Sequence, residues 1–503
     1  MKKLLYLSLS VVTFFVASCK KNDSVTAVSP TTTTTSAIDQ VKDSVFMYAQ
    51  EEYLWYDGLP TAATFNAHNF TGTSDLAALQ SEVNAISQYK KNPATNAAYE
   101  YSSSSPGSAK YSFVDNGQTA QVLSGNNGDF GFFPVYYTSY TDLRIRYVNP
   151  NSPAFKAGLH RGDLITSIVN VPSLDGNVAA NISAINAALQ ASSITMTLKR
   201  NNGTSYTATL VVTNYTANPV MKDTVINTGN GRKVGYLVFS TFTSPANATP
   251  QLDAAFDYFI QQGITDLVVD LRYNGGGYVA TAEYLDNLIV PASKSGTMMY
   301  ASYYNNKLQA DSYPLLAKKY YINKGDFSVP TNTVVFSKKK TLGISRVFFI
   351  VTSRTASASE LTINNLIPEM DVQLLGSTSY GKPVGFFAIP ITSYQLYIPE
   401  FETKNSAGKG GYYAGMTPAS SDYPGYLSND DVSKDFGDPT ENLFSHALNY
   451  VTRGTFSIAG QQTNSLSGAA ATMSIEQQNQ LNEKLNDHTF NGMIFDNKAL
   501  KKR

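Results

Sequence analysis

From about Gly231 onward the sequence alternates short unbroken apolar runs with stretches of helical period. Val234 to Phe239 reads as a strand, Leu252 to Ile260 as a helix, and Leu267-Val268-Val269 is apolar without a break. Successive side chains of a strand point to opposite sides of its sheet, so a run apolar at every position fits a strand buried on both faces. Further strands are expected at 333–336, Val347–Val351 and Val372–Leu375, with a helix ending at Leu366 between the last two. This alternation predicts a layered α/β core. The Lys- and Tyr-rich stretch 300–326 lacks the pattern and is expected to be a solvated excursion. A helix is expected at Glu441–Tyr450, and the polar residues after it are expected to form a loosely held tail.

At 503 residues the chain has room for two to four domains. Its 38 Lys and Arg balance 38 Asp and Glu, which argues against nucleic acid as a partner. A single cysteine excludes an intrachain disulfide framework, and the scattered His68, His160, His446 and His488 offer no zinc-binding spacing. No metal and no cofactor is expected.

The one cysteine sits at a telling place. Lys2 and Lys3 precede a 14-residue, mainly apolar run from Leu4 to Ala17, followed by Ser18-Cys19. Such a run is too short to span a bilayer, which takes about 20 residues, but fits the apolar part of a secretory signal. Val16-Ala17-Ser18-Cys19 resembles the bacterial lipobox, in which the cysteine is lipidated; an ordinary signal peptide is the other reading. Residues 20–37 would then be a flexible tether, residues 38–127 a small N-terminal helical region, and Tyr53, Trp55 and Tyr56 its packing surface or a sugar-stacking platform.

A second unit is expected over 128–216. Leu143, Ile145 and Tyr147 alternate with Arg144 and Arg146, as in a half-buried strand. The run Ser152-Pro153-Ala154 through Ala157-Gly158-Leu159 to Gly162-Asp163 and Ile165 resembles the PDZ domain of bacterial proteases. A helix (Ile182 to Leu189) and two strands (Ile194–Leu198, Tyr206–Val212) follow. Such a unit holds an extended peptide at a sheet edge, with Asp129-Phe130-Gly131-Phe132 as a candidate carboxylate loop; a spacer without ligand is the alternative.

Within the core (217–455) three segments could carry chemistry. Asp270-Leu271-Arg272-Tyr273-Asn274-Gly275-Gly276-Gly277 follows a buried strand, and its glycines either make a plain tight turn or present bare amides to a cavity. Thr355-Ala356-Ser357-Ala358-Ser359-Glu360 opens a helix, which makes Ser357 either a simple N-cap or a hydroxyl placed where the helix end favours negative charge. Gly376-Ser377-Thr378-Ser379-Tyr380-Gly381-Lys382-Pro383 ends the next strand. A ten-residue helix carries the chain roughly 15 Å away and the strand brings it back about 20 Å, so Lys382 can return beside Ser357.

Together these motifs resemble the carboxyl-terminal processing (tail-specific) protease family of serine peptidases, over about residues 128–455. The resemblance implies a ClpP/crotonase-like core inside an α/β and α+β multidomain chain, with Ser357 as nucleophile, Lys382 as general base and the amides of Gly276 and Ala358 as oxyanion hole. It also implies protein or peptide substrates. Lys382 would have to be neutral, its pKa brought from about 10.4 towards 7–8 by burial. One position departs: where many relatives carry a glutamine four residues after the lysine, this chain has Phe386, and Gln395 is the candidate replacement. The sequence therefore reads as a lipid-anchored serine endopeptidase of the cell envelope. The alternatives are a catalytically impaired peptide-binding lipoprotein of the same fold and, on the Tyr-rich surfaces, a carbohydrate binder.

Overall fold

A computed structural model describes residues 36–458, 473–485, 492–494 and 501–502. The expected signal segment with Cys19, and the tether up to residue 35, lie outside them. Ser36 accepts a hydrogen bond from the Asp39 amide and so caps the helix Ala37–Glu52, so the chain is already ordered where the tether was expected to end. Val41, Val45, Phe46 and Ala49 bury one face of this helix, which packs against the helix Asp75–Ser87. Tyr53 and Trp55 are buried, and Trp55 stacks on Tyr99 at 4.6 Å. They are core residues and leave no exposed sugar platform.

The core is a six-stranded sheet in the order Gly425–Leu427, Asp371–Gly376, Arg346–Val351, Asp266–Asp270, Lys233–Phe239, Val220–Asn227. All neighbours run parallel except the last, which is antiparallel. The unbroken apolar runs arise from this burial on both sides. Leu237, Phe239, Leu267, Val269 and Phe349 share one hydrophobic cluster with Leu252, Phe256, Leu285 and Leu361 of the helices Pro245–Gln262, Val279–Ile289 and Ala358–Leu366. Tyr236, Val238, Val268, Phe348 and Ile350 share another with Leu443, Phe444 and Ala447 of the helix Asn442–Arg453.

Two expectations fail here. The stretch from 300 is no solvated excursion at its start: Met298–Tyr304 is a strand paired with Phe401–Asn405 and Thr333–Val335. Its Met299, Tyr300, Ala301 and Tyr304 are buried. Tyrosine can go inside when its hydroxyl finds an acceptor, and Tyr300 Oη donates to Glu283 at 2.6 Å. Nor is the C-terminal region loose throughout. Residues Ile475–Glu483 form a helix, and Met473, Leu481 and Leu485 join the hydrophobic core of the second unit. Three apolar residues in a polar stretch are too few to produce a periodic signal.

That second unit is an antiparallel sheet ordered Phe132–Tyr136, Leu143–Val148, Leu164–Ile168, Ser193–Lys199, Ser205–Val211. The helix Ala179–Leu189 buries Ile182 and Ile185 against it. The unit is tied to the core by Arg161, which donates to Tyr273 Oη and to Asp430 Oδ1, each at 2.7 Å. Asp430 is shared with Arg272, whose guanidinium also meets Glu441 and Asp270 at 2.8 and 2.7 Å.

Burial alone would push the Asp430 carboxyl up, but Arg161 and Arg272 outweigh it and hold it down at about 2. A depressed carboxyl adds stability above its ordinary pKa and loses it as the pH falls through the folded value. Asp430→Asn is therefore expected to lower unfolding stability by about 2 kcal/mol at pH 7 and to flatten the loss of stability between pH 4 and 2. Chemical denaturation across that pH range checks this; an unchanged pH dependence would contradict the role given to Asp430.

Candidate active site

Ser357 ends the loop that follows the strand Arg346–Val351 and stands at the N-cap of Ala358–Leu366. Its φ of 61° places a non-glycine residue in the left-handed region, a conformation that persists only where the surroundings impose it. The residue is fully buried, and Oγ has no hydrogen-bond partner among the described residues. Ser357 and Glu360 are arranged as a capping box, yet Oγ itself makes no side-chain cap hydrogen bond.

The loop is held from beneath by Asn274. The Asn274 carbonyl accepts from the Ala356 amide at 3.0 Å and from Ser359 Oγ at 2.9 Å. Its side chain donates to the Phe239 carbonyl and accepts from the Gly276 amide, at 2.8 and 2.9 Å. The Gly276 amide, expected to face an oxyanion, is therefore turned to Asn274 in this conformation. The glycines are needed for space as well as for φ: a Cβ on Gly276, at φ 108°, would lie 3.0 Å from Ser357 Cβ.

Lys382 is brought to the same place by Glu360, quoted in the sequence motif but given no role there. Glu360 Oε2 accepts the amides of Ser357 and Lys382 at 2.9 and 2.8 Å, so both backbones converge on one oxygen. Its Oε1 takes the Gly381 amide at 2.7 Å and Ser379 Oγ. Burial holds the Glu360 carboxyl above its usual range despite these four donors.

Residues 233–410 match the family model of peptidase family S41. Over those residues the chain resembles the S41 peptidases. It is 31% identical over 146 residues to the chloroplastic C-terminal processing peptidase of Tetradesmus obliquus, covering 27% of this chain and 31% of that one. It is 24% identical over 272 residues to the "Probable CtpA-like serine protease" of Staphylococcus epidermidis, covering 53% of this chain and 48% of that one. These matches span less than half the length of either relative. A solved structure from Bacteroides fragilis NCTC 9343, described as belonging to an S41 protease, has the same fold, with a TM-score of 0.55 at 24% identity over 82% of this chain and 97% of that one.

Within the matched residues the lysine lies out of water. Lys382 is fully buried, and burial, with Lys110 adding a smaller push, lowers its pKa to about 7 against the opposing pull of Glu100, Glu360 and Glu400. Its Nζ stands 4.1 Å from the centre of the Phe386 ring and 3.5 Å from the Tyr111 carbonyl oxygen. Tyr111 and Ser112 are fixed in turn by Glu100, which accepts both their amides at 2.9 and 2.7 Å and the Tyr53 hydroxyl at 2.6 Å. Tyr111 Oη donates to the Gly381 carbonyl at 2.6 Å. The N-terminal region, not Gln395, thus walls the lysine. Gln395 sits on a strand beside Asp115 and accepts from Tyr397 Oη at 2.6 Å. Among the described residues no group of His, Cys, Asp or Glu could hold a metal ion.

An aromatic face attracts the ammonium and not the neutral amine, so Phe386 opposes deprotonation while its bulk excludes water. Phe386→Leu keeps the bulk and removes the ring. The pH midpoint of Ser357 reactivity is expected to move down from about 7; a rise would show that the ring acts by dehydration alone.

Proposed function

We propose that the chain is a serine endopeptidase in which Ser357 attacks a peptide carbonyl and Lys382 serves as general base. The observation that carries this reading is a fully buried lysine, its pKa lowered to about 7, whose amide shares one carboxylate oxygen with the amide of a buried, unpartnered serine. A neutral Lys382 amine takes the Ser357 hydroxyl proton as Oγ bonds to the carbonyl carbon. The ammonium then passes that proton to the departing amine, and water repeats the sequence to release the acyl group.

The developing oxyanion needs preorganised donors, each contributing about 10²–10³ in rate. The Ala358 amide, in the first turn of its helix where no intrahelical carbonyl is available, is one. The Gly276 amide becomes the other once it leaves Asn274. The second unit, on this reading, is PDZ-like and offers the edge of Phe132–Tyr136 to a substrate terminus. The apolar run Leu4 to Ala17, followed by Ser18-Cys19, supports a lipid anchor in the cell envelope and extracytoplasmic proteins or peptides as substrates.

Ser357→Ala and Lys382→Ala are each expected to lower hydrolysis of a fluorogenic casein by at least about 10⁴-fold with the thermal unfolding transition kept. A fluorophosphonate is expected to label the unaltered chain at Ser357, located by peptide mass spectrometry. Equal hydrolysis in either variant would reject the dyad, and absence of label at Ser357 in every form of the protein would favour the non-cleaving peptide binder.

A further inference from the structure

The C-terminal region touches both surfaces that a peptide substrate would use. The first is the glycine strand. Gly276–Tyr278 has one edge closed by Phe242, whose amide donates to the Gly276 carbonyl at 2.9 Å and whose carbonyl accepts the Tyr278 amide at 2.7 Å. Its other edge carries Gly492–Ile494, paired in parallel with Gly276 opposite Gly492 and Tyr278 opposite Ile494. The Gly492 amide donates to the Gly275 carbonyl at 2.9 Å. A Cβ on Gly276 would stand 2.3 Å from the Gly492 carbonyl oxygen and 3.0 Å from Ser357 Cβ, so that carbonyl lies beside the nucleophile.

The second surface is the edge strand Phe132–Tyr136 of the PDZ-like unit, with the helix Ala179–Leu189 beside it. Asn482 of the helix Ile475–Glu483 does there what a paired strand would do. Its Oδ1 accepts the Tyr136 amide at 2.8 Å, and its Nδ2 donates to the Tyr136 carbonyl at 3.0 Å. Gln478 donates to the Tyr137 carbonyl at 2.6 Å, and Asn186 reaches across to the Lys484 carbonyl at 2.8 Å. Leu481 and Leu485 complete the apolar core between strand and helix. Arg354, three residues before the nucleophile, donates to the Asn482 carbonyl at 3.1 Å. The same helix walls a cavity of about 240 Å³ whose other sides include Tyr137, Thr352, Ser377 and Tyr380.

We propose that residues 473–485 and 492–494 are an intramolecular ligand of the peptidase, its helix seated on the PDZ-like edge and its strand in the place of substrate, and that the full-length chain is thereby held latent. This rests on the peptidase reading above. Two features of the same conformation agree with latency: the Gly276 amide is given to Asn274, and Ser357 Oγ makes no hydrogen bond among the described residues. The occupant fits by backbone pairing and by a side-chain amide that mimics backbone. The substrate it stands in for is therefore an extended segment read through its main chain, followed or preceded by a docking element, and not a short side-chain signature.

Gly492→Pro tests the strand, since proline removes the donor to Gly275, and Asn482→Ala tests the helix. Truncation after residue 458 removes both. Two readouts are taken: amide hydrogen exchange at Gly277, whose amide faces the 492–494 strand, and the rate of fluorophosphonate labelling at Ser357. In Gly492→Pro and in the truncated chain, exchange at the glycine strand is expected to speed up and labelling to rise at least about tenfold. A peptide of residues 473–503 added to the truncated chain is expected to reverse both changes. Unchanged exchange in Gly492→Pro would overturn the docking whether or not the protein is a peptidase. Faster exchange with an unchanged labelling rate would overturn latency. Absence of label in every form, with exchange responding as expected, would leave the docking standing and fail the peptidase reading instead.

Discussion

An ammonium group is costly to take out of water, and this fold takes Lys382 out completely. Two parts of the chain that are remote in sequence must converge to do so: the segment after Asp371–Gly376, which carries both Lys382 and Phe386, and the segment around Tyr111. The buried Glu360 carboxylate makes the convergence specific, because it ties the backbone of the lysine to that of the serine rather than pairing with the amine. A direct ion pair would have held Lys382 charged and useless as a base. Tethering through amides gives proximity while burial still outweighs the upward pull of Glu360 on the lysine.

The strand and helix alternation of the core was readable because parallel strands buried on both faces leave no polar positions to blur the pattern. Ser357, Gly276 and Lys382 were readable because each sits at the end of such a strand, inside a short local motif. Tyr111 was not. It meets the lysine through a backbone carbonyl, which any residue possesses, across 271 positions of sequence. Glu100 likewise acts by accepting backbone amides and hydroxyls, leaving no spacing to detect. The strand at Met298–Tyr304 was misjudged because its tyrosines look polar until their acceptors are known. Gly492 carries no side chain at all, and its role is visible only in the ladder it completes.

The N-terminal region and the C-terminal region therefore both reach the place where Ser357 and Lys382 lie. The first supplies part of the wall that keeps water from the lysine; the second pairs with the edge of Gly276–Tyr278. Arg161, Arg272 and Asp430 hold the second unit against the core, so an occupant spanning both surfaces meets them at a fixed separation. Binding to the two surfaces by one tethered segment gains from high effective concentration, which lets individually modest contacts exclude a free substrate.

Titration of the Lys382 side chain tests the central claim most directly. With ε-¹³C lysine incorporated and the resonance assigned by its loss in Lys382→Met, the carbon shift follows protonation of that single amine. The account predicts a midpoint near 7 in the folded protein. A midpoint near 10, that of an ordinary solvated lysine, would mean that the amine stays charged at neutral pH and cannot take the proton of Ser357.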